Sequence, residues 1–200
     1  MMRREGEKEM KAVIFDGSRN NDETVDTISQ VVVEQLSSAR WNVETIILRH
    51  KRIAGCTGCF GCWIQTPGIC IIDDDGRGIA KQAAQADLLI FLTPITFGGY
   101  SSELKKAVDR TLPVLLPYFT LVNGEVHHRM RYKRRQRLAV VGVQTSPDPE
   151  SAHIFEALVE RNAINIHSPA HGSAVIIQAS GAREIRERTG RLLKNIGVVA

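Results

Sequence analysis

Five short apolar segments, separated by stretches with helical periodicity, constrain the fold of this chain more than any other feature. The segments span residues 11–18, 41–49, 86–94, 137–146 and 172–180. Apolar strands that alternate with helices require a parallel sheet that is covered on both faces. The sequence therefore predicts an α/β fold, a five-stranded parallel sheet with helices on each side.

The helical stretches between these segments carry apolar residues at three- and four-residue spacings. In the first of them, residues 22–39, the apolar stripe is Val25, Ile28, Val32 and Leu36. Asn20, Asn21 or Asp22 can cap its start. Further helices are expected up to about Gln85, after Ser101 as a cap, over residues 151–162, and before Gly197 as a terminator.

The length and composition of the chain fit one domain. It has 200 residues, of which 43% are hydrophobic, enough for a single continuous core. We predict a charged tail over residues 1–10 and one domain over residues 11–200. Two segments of that domain lack a regular pattern, a cysteine-rich loop at 53–75 and a long connection at 113–136.

The charge of the chain is a mild +4, and much of it lies in the basic stretch 127–137, HHRMRYKRRQR. No nucleic-acid reading module accompanies this stretch, so a nucleic-acid partner is not expected. The chain shows neither a secretory signal nor an apolar run of the roughly 18 residues that span a bilayer. We expect a cytoplasmic protein with no membrane partner.

Ligands of open α/β sheets lie beyond the carboxyl ends of the strands, near the switch in strand order. This rule selects residues 17–24, 93–101 and 144–147. The first segment, GSRNNDET, offers backbone N–H groups at a helix start, where a phosphate fits. It matches neither GxGxxG nor GxxxxGK[ST]. A capped helix after a tight turn, without any ligand, is the alternative.

The second segment, TPITFGGYS, follows the most apolar strand. Phe97, Gly98 and Gly99 build a turn with exposed backbone, against which a flat aromatic ligand such as an isoalloxazine ring can lie. A loop that merely contains two glycines is the alternative interpretation of the same residues.

All four cysteines fall in one short loop, as Cys56, Cys59, Cys62 and Cys70. Their spacing, C-x2-C-x2-C-x7-C, can surround one cubane iron–sulfur cluster. Zinc is a second interpretation, although structural zinc sites usually pair two separated knuckles. Free thiols in a glycine-rich loop are the third, and the residues alone leave all three open.

Three motifs carry a resemblance to a known family: GSRNNDET, CTGCFGCWIQTPGICIIDDD and TPITFGGYSSELKKAVDR. Together they resemble the flavodoxin-like NAD(P)H-dependent FMN reductases, in particular the branch that contains the iron–sulfur flavoproteins. The resemblance implies a flavodoxin-like three-layer sandwich with strand order 2-1-3-4-5, and FMN as cofactor. One departure is that Asp22 and Glu23 stand where the family has Gly and Asn, and carboxylates repel a phosphate unless they point away.

The resemblance also assigns site residues. It implies that the FMN phosphate is contacted by Ser18, Arg19, Asn21 and Thr24. It implies that the ring and ribityl chain are held by Pro94, Ile95, Thr96, Phe97 and Gly98. It implies that a 4Fe–4S cluster is bound by Cys56, Cys59, Cys62 and Cys70. No catalytic acid or base is identified, and His127 and His128 are interpreted as surface residues.

The function expected from the resemblance is electron transfer from NAD(P)H, through bound FMN, to a quinone, a small oxidant or an iron–sulfur cluster. One alternative is an electron-transfer iron–sulfur flavoprotein that is fed by a partner such as ferredoxin. Another is a non-enzymatic binding module in which the cysteines act as a thiol or metal switch. A homo-oligomer is also expected, with the cysteine-rich loop and the long connection at the subunit contact.

Overall fold

The computed structural model describes residues 9–20 and 22–199, so most of the tail predicted at 1–10 lies outside the described residues. The strands are β1 (Lys11–Asp16), β2 (Asn42–Ile47), β3 (Leu88–Pro94), β4 (Leu115–Val122), β5 (Glu125–Met130), β6 (Arg137–Gln144) and β7 (His171–Ile177). The helices are α1 (Glu23–Ser38), α2 (Gly61–Ile64), α3 (Gly76–Gln85), α4 (Ser102–Asp109), α5 (Pro149–Asn165) and α6 (Ala182–Asn195). No helix within these ranges combines the length and the apolar character that crossing a lipid bilayer requires.

The main sheet has the order β2-β1-β3-β6-β7, and every neighbouring pair in it is parallel. The predicted fourth and fifth strands are β6 and β7, so the predicted order 2-1-3-4-5 is confirmed. The chain first adds β2 on one side of β1 and then β3 on the other side. The switch in strand order therefore lies between β1 and β3, where ligands of such sheets bind.

Both faces of the sheet are covered, which explains why the strands read as continuous apolar runs. On β1, Ala12 and Ile14 pack under α1 and α6 in one buried cluster. The alternate residues, Val13 and Phe15, pack under α3, α4 and α5 in a second cluster. This is the three-layer arrangement that the sequence predicts.

The long connection predicted at 113–136 contains structure that the sequence reading missed. After a short 3-10 turn at Leu112–Val114, strands β4 and β5 form an antiparallel hairpin outside the main sheet. Its turn residues, Asn123 and Gly124, have φ values of 50° and 83°. This Asn-Gly pair is a strong hairpin signal, which the prediction of an irregular connection leaves unused.

Candidate functional site

The turns that follow β1 and β3 are joined to each other at the carboxyl edge of the sheet. The backbone N–H of Gly17 donates to the Leu92 carbonyl at 2.7 Å, and Ser101 Oγ donates to the Gly17 carbonyl at 2.5 Å. A Cβ atom at position 17 would lie only 2.7 Å from the Cβ of Leu104. Glycine is therefore required for this close approach, which brings together two of the segments selected from the sequence.

The turn after β1 is held by a buried carboxylate. Asp16, which is 1% exposed, accepts hydrogen bonds from the backbone N–H of Ser18 at 2.8 Å and from its Oγ at 2.6 Å. Arg49 donates to Ser18 Oγ at 2.6 Å and lies 3.6 Å from the second Asp16 oxygen. Ser18, a predicted phosphate contact, is thus buried and already bonded within the protein.

Asp16 and Arg49 were missed by the reading of the sequence. The available signal was an acidic residue at the end of an otherwise apolar strand, where burial demands a partner. Nothing in the local sequence pointed to Arg49 as that partner, because it lies 31 residues beyond Ser18.

The start of α1 is capped by Asp22, one of the three caps considered from the sequence. Its Oδ1 accepts from the backbone N–H groups of Thr24 at 2.9 Å and of Val25 at 3.3 Å. Thr24, another predicted phosphate contact, donates its hydroxyl to the Gln178 carbonyl at 3.0 Å. Arg19 is exposed. Asn21, the fourth predicted phosphate contact, lies outside the described residues.

The turn after β3 is a tight reversal that faces solvent. Thr96 and Gly99 exchange backbone hydrogen bonds of 3.0 and 2.9 Å, and the two residues between them, Phe97 and Gly98, have φ values of 50° and 75°. The Phe97 side chain is 99% exposed. Gly98 is buried and Thr96 and Gly99 are half-buried, so the backbone of this turn is less exposed than the sequence predicts. What the turn presents to solvent is the apolar ring of Phe97, against which a flat aromatic ligand can lie.

Neighbouring elements hold this exposed turn in place. The N–H of Ile95, directly after Pro94, donates to the Val143 carbonyl of β6 at 2.8 Å. A Cβ atom at Gly98 would lie 2.6 Å from Cγ2 of Ile154 on α5. The predicted cap Ser101 accepts from the N–H of Leu104 at 3.2 Å and so starts α4. The predicted ring contacts, residues 94–98, therefore belong to one fixed segment.

A buried ion pair closes the base of the cysteine-rich loop. Arg110, 1% exposed, donates to both Asp74 carboxylate oxygens at 2.8 and 2.6 Å. It also donates to the carbonyls of Ala54 at 2.9 Å and Ile72 at 3.2 Å. Burial by itself raises the pKa of Asp74, but hydrogen bonds from Arg110 and from the Ala54 and Gly76 backbone outweigh it and hold the pKa at about 2.

Arg110 thus joins the two ends of the cysteine-rich loop, just before its first cysteine and just after its last. Arg110 was not predicted to have this role. The signal in the sequence was its position, which continues the buried Leu104 and Ala107 of α4 at intervals of three. A charged residue on a buried helix face needs a buried partner, and the aspartate-rich turn at residues 73–75 contains it.

The four thiols differ in their surroundings. Cys56 and Cys59 are exposed, Cys70 is half-buried and Cys62 is buried. Burial raises the pKa of the Cys62 thiol, and like charge on each of the other three cysteines raises it further. Hydrogen bonds from the Gly61 backbone, and then from the Thr57 side chain, lower the pKa of Cys59. The thiol of Cys62 is therefore harder to ionise than a free thiol, and that of Cys59 is easier to ionise.

The four thiols are not arranged as a set of metal ligands. Among residues 9–20 and 22–199, no three His, Cys, Asp or Glu side chains are placed to hold a metal ion together. The donor set has the chemistry of an iron–sulfur site. Binding of a cluster would require the cysteine-rich loop to draw the thiols closer.

An aromatic ladder connects the cysteine-rich loop to the hairpin. The ring centroids of Phe60 and Trp63 are 5.2 Å apart, those of Trp63 and His128 are 4.8 Å apart, and those of His128 and Phe119 are 4.6 Å apart. Both ends of the ladder are open to solvent, since Phe60 is 51% exposed and Phe119 is 61% exposed. The two irregular segments of the sequence therefore share one surface.

A parallel sheet of this order, with joined turns at the switch between β1 and β3, defines the flavodoxin-like class of α/β proteins. An NAD(P)H:quinone oxidoreductase from Methanothermobacter marburgensis has the same fold, with a TM-score of 0.70 and 17% identity over 94% of this chain and 98% of that chain. Residues 10–168 match the family described as NADPH-dependent FMN reductase. The chain belongs to this family, and the predicted family is confirmed.

Two curated relatives are iron–sulfur flavoproteins. The protein from Methanosarcina thermophila is 27% identical over 114 residues, which are 57% of this chain and 59% of the relative. The protein from Methanocaldococcus jannaschii is 29% identical over 109 residues, which are 54% of this chain and 55% of the relative. The chain thus matches little more than half the length of these relatives, which lie in the branch that the cysteine motif resembles.

Proposed function

We propose that this chain is an FMN-dependent oxidoreductase that takes electrons from NAD(P)H and passes them to a quinone or another small oxidant. FMN, when bound, supplies the hydride chemistry and the capacity to release electrons singly or in pairs. The proposal is supported by membership of the FMN reductase family over residues 10–168. The observation that carries it is the junction of Gly17 with Leu92, which joins the turns after β1 and β3 at the switch in strand order.

On the ring side, the contacts of this site are proposed at Pro94, Ile95, Thr96, Phe97 and Gly98. The exposed Phe97 side chain supports a flavin ring at this turn, and contacts with β6 and α5 hold the turn in place. The protein's part in the reaction is then to place the ring, to donate hydrogen bonds from peptide groups and to limit access of water. This assignment requires no side-chain acid or base.

On the phosphate side, the contacts are proposed at Ser18, Arg19, Asn21 and Thr24. The fit here is incomplete, because the hydroxyls of Ser18 and Thr24 are bonded within the protein and Asp22 accepts from the second and third backbone N–H groups of α1. A phosphate bound at this position needs Asp22 to move.

The experiment is a visible spectrum of anaerobically purified protein, followed by anaerobic mixing with NADPH and, separately, NADH. We expect flavin absorption that bleaches promptly with at least one of the two and returns when a quinone is added. A protein that binds no flavin, even after incubation with FMN, would contradict the proposal. Flavin that resists both nicotinamides but bleaches with reduced ferredoxin would support the electron carrier instead.

A second proposal concerns Cys56, Cys59, Cys62 and Cys70, which we propose as ligands of a 4Fe–4S cluster. The presence of four thiols within one short loop favours it, and the exposed thiols suit a reducing compartment such as the cytoplasm. Iron and sulfide analysis of anaerobic protein tests it, with about four of each expected per chain. Zinc without sulfide, or no metal, would favour the metal or thiol switch.

The aromatic ladder and its surroundings are proposed as the contact of a homo-oligomer. Leu121 and Val126, which lie opposite each other in the hairpin, expose 71% and 66% of their surface, and Ile64, next to Trp63 in α2, exposes 73%. Exposed apolar patches mark interaction sites. Light scattering of the wild type against Leu121→Ser and Val126→Ser tests this, with Ile154→Ser on α5 as the control. Loss of the oligomer only in the two hairpin variants is expected, and a monomeric wild type would contradict it.

A further inference from the structure

In the first turn of α1, the side-chain carboxylate of Asp22 already accepts the hydrogen bonds that a bound anion would accept. Oδ1 of Asp22 accepts from the backbone N–H of Thr24 at 2.9 Å and from that of Val25 at 3.3 Å. These second and third amides of a helix are the donors that a capping side chain or a bound anion uses. The carboxylate of Asp22 therefore lies where the proposed phosphate contact would be made.

The hydroxyl groups nearby are also engaged. Ser18 Oγ donates its single hydrogen to Asp16 at 2.6 Å and accepts from Arg49 at 2.6 Å. Thr24 Oγ1 donates to the Gln178 carbonyl at 3.0 Å. A phosphate can accept from neither hydroxyl unless an existing hydrogen bond breaks.

We infer that Asp22 competes with the cofactor phosphate for the start of α1, so that the chain prefers FMN over riboflavin only weakly. The inference rests on the proposed function, since it assumes a flavin at this edge of the sheet. When FMN binds, the carboxylate leaves the amides of Thr24 and Val25 and stays near a second negative charge. The loss of the helix cap and the repulsion between the two negative charges both oppose binding of the phosphate. Neither affects the flavin ring, which in the proposed function lies against the turn after β3.

The experiment measures dissociation constants of FMN and riboflavin by quenching of flavin fluorescence, using the full chain freed of bound flavin. The variants are Asp22→Asn and Asp22→Ser, since both residues cap helices well and carry no charge. We expect both variants to bind FMN roughly tenfold more tightly than the wild type does. Riboflavin has no phosphate, so its affinity should stay the same in all three proteins.

The control is Glu23→Gln, which removes a negative charge from the same helical turn. Glu23 is exposed and does not cap the helix, so a change of less than about twofold in FMN affinity is expected. The inference is overturned if both Asp22 variants leave FMN affinity unchanged or weaker, or if Glu23→Gln gives the same gain. If the wild type binds neither flavin, the proposed function fails and the inference with it. Riboflavin binding with no gain for FMN would overturn the inference alone.

Discussion

The turns after β1 and β3 lie side by side, yet they use their polar and apolar groups in opposite ways. In the first turn Asp16 and Ser18 are 1% and 2% exposed and are bonded to each other and to Arg49. In the second turn Phe97 is 99% exposed. One turn is stabilised by internal polar contacts and offers little to a ligand, whereas the other presents an apolar ring to solvent. Adjacent turns at one sheet edge can therefore differ sharply, one burying its side chains in internal contacts and the other leaving them exposed.

The largest effect on stability is expected when the buried carboxylate of the first turn is removed. Asp16→Ala removes the acceptor of two Ser18 donors and the carboxylate beside Arg49. We expect the free energy of unfolding to fall by about 3 kcal/mol, as measured by urea denaturation. Glu156→Ala, at an exposed position on α5, is the control and should change it by less than about 0.5 kcal/mol. Equal effects would remove the contrast between the turns.

A second prediction extends the comparison to the buried Asp74–Arg110 pair, which supports an exposed loop. The folded pKa of Asp74 is about 2, below the reference value of 3.8. Its stabilising effect is therefore complete above about pH 4 and is lost as the pH falls towards 2. The difference in unfolding free energy between wild type and Asp74→Asn should shrink by about 2 kcal/mol over this range.

Urea denaturation of both proteins at a series of acidic pH values measures this difference. A gap that stays constant from neutral pH to pH values near 2 would show that the carboxylate charge does not hold the cysteine-rich loop. The comparison would then rest on the hydrogen bonds of Asp16 alone.

A third prediction concerns the rigidity of the exposed turn. Gly98→Ala places a Cβ at a residue with φ of 75° and within 2.6 Å of Ile154. It should lower the free energy of unfolding by about 1–2 kcal/mol. The matched control is Gly99→Ala, where the nearest contact of a Cβ is the Thr96 carbonyl at 3.4 Å. Thermal unfolding should separate the two variants, and identical midpoints would refute the proposed strain.

The smallest effect on stability is expected at Phe97. Because its side chain is almost entirely exposed, Phe97→Ala should change the free energy of unfolding by less than about 0.5 kcal/mol. Flavin affinity, measured by fluorescence quenching, should nevertheless fall for both FMN and riboflavin, because the apolar ring beside the proposed site is lost. Phe119→Ala on the hairpin is the control. Unchanged flavin affinity in the Phe97 variant would argue against the second turn as the ring site.

Much of the architecture could be predicted from local patterns. Apolar runs in the sequence predict the buried strands. The helix caps Asp22 and Ser101 are also predictable, because their side chains bond to backbone amides only two or three residues away. The hairpin escaped prediction because β4 and β5 are mostly half-buried rather than core strands, and Pro117 interrupts the apolar run of β4. Only its Asn123–Gly124 turn carried a signal.

By itself, the sequence determined the alternating elements, the family, and the segments that reach the carboxyl edge of the sheet. The tertiary structure decided which polar groups meet there. Arg110 bonds to Asp74 across 36 residues, and Arg49 bonds to Ser18 across 31. Such pairs form because burial penalises an unpaired charge, and the nearest partner depends on how strands and loops are stacked rather than on spacing along the chain.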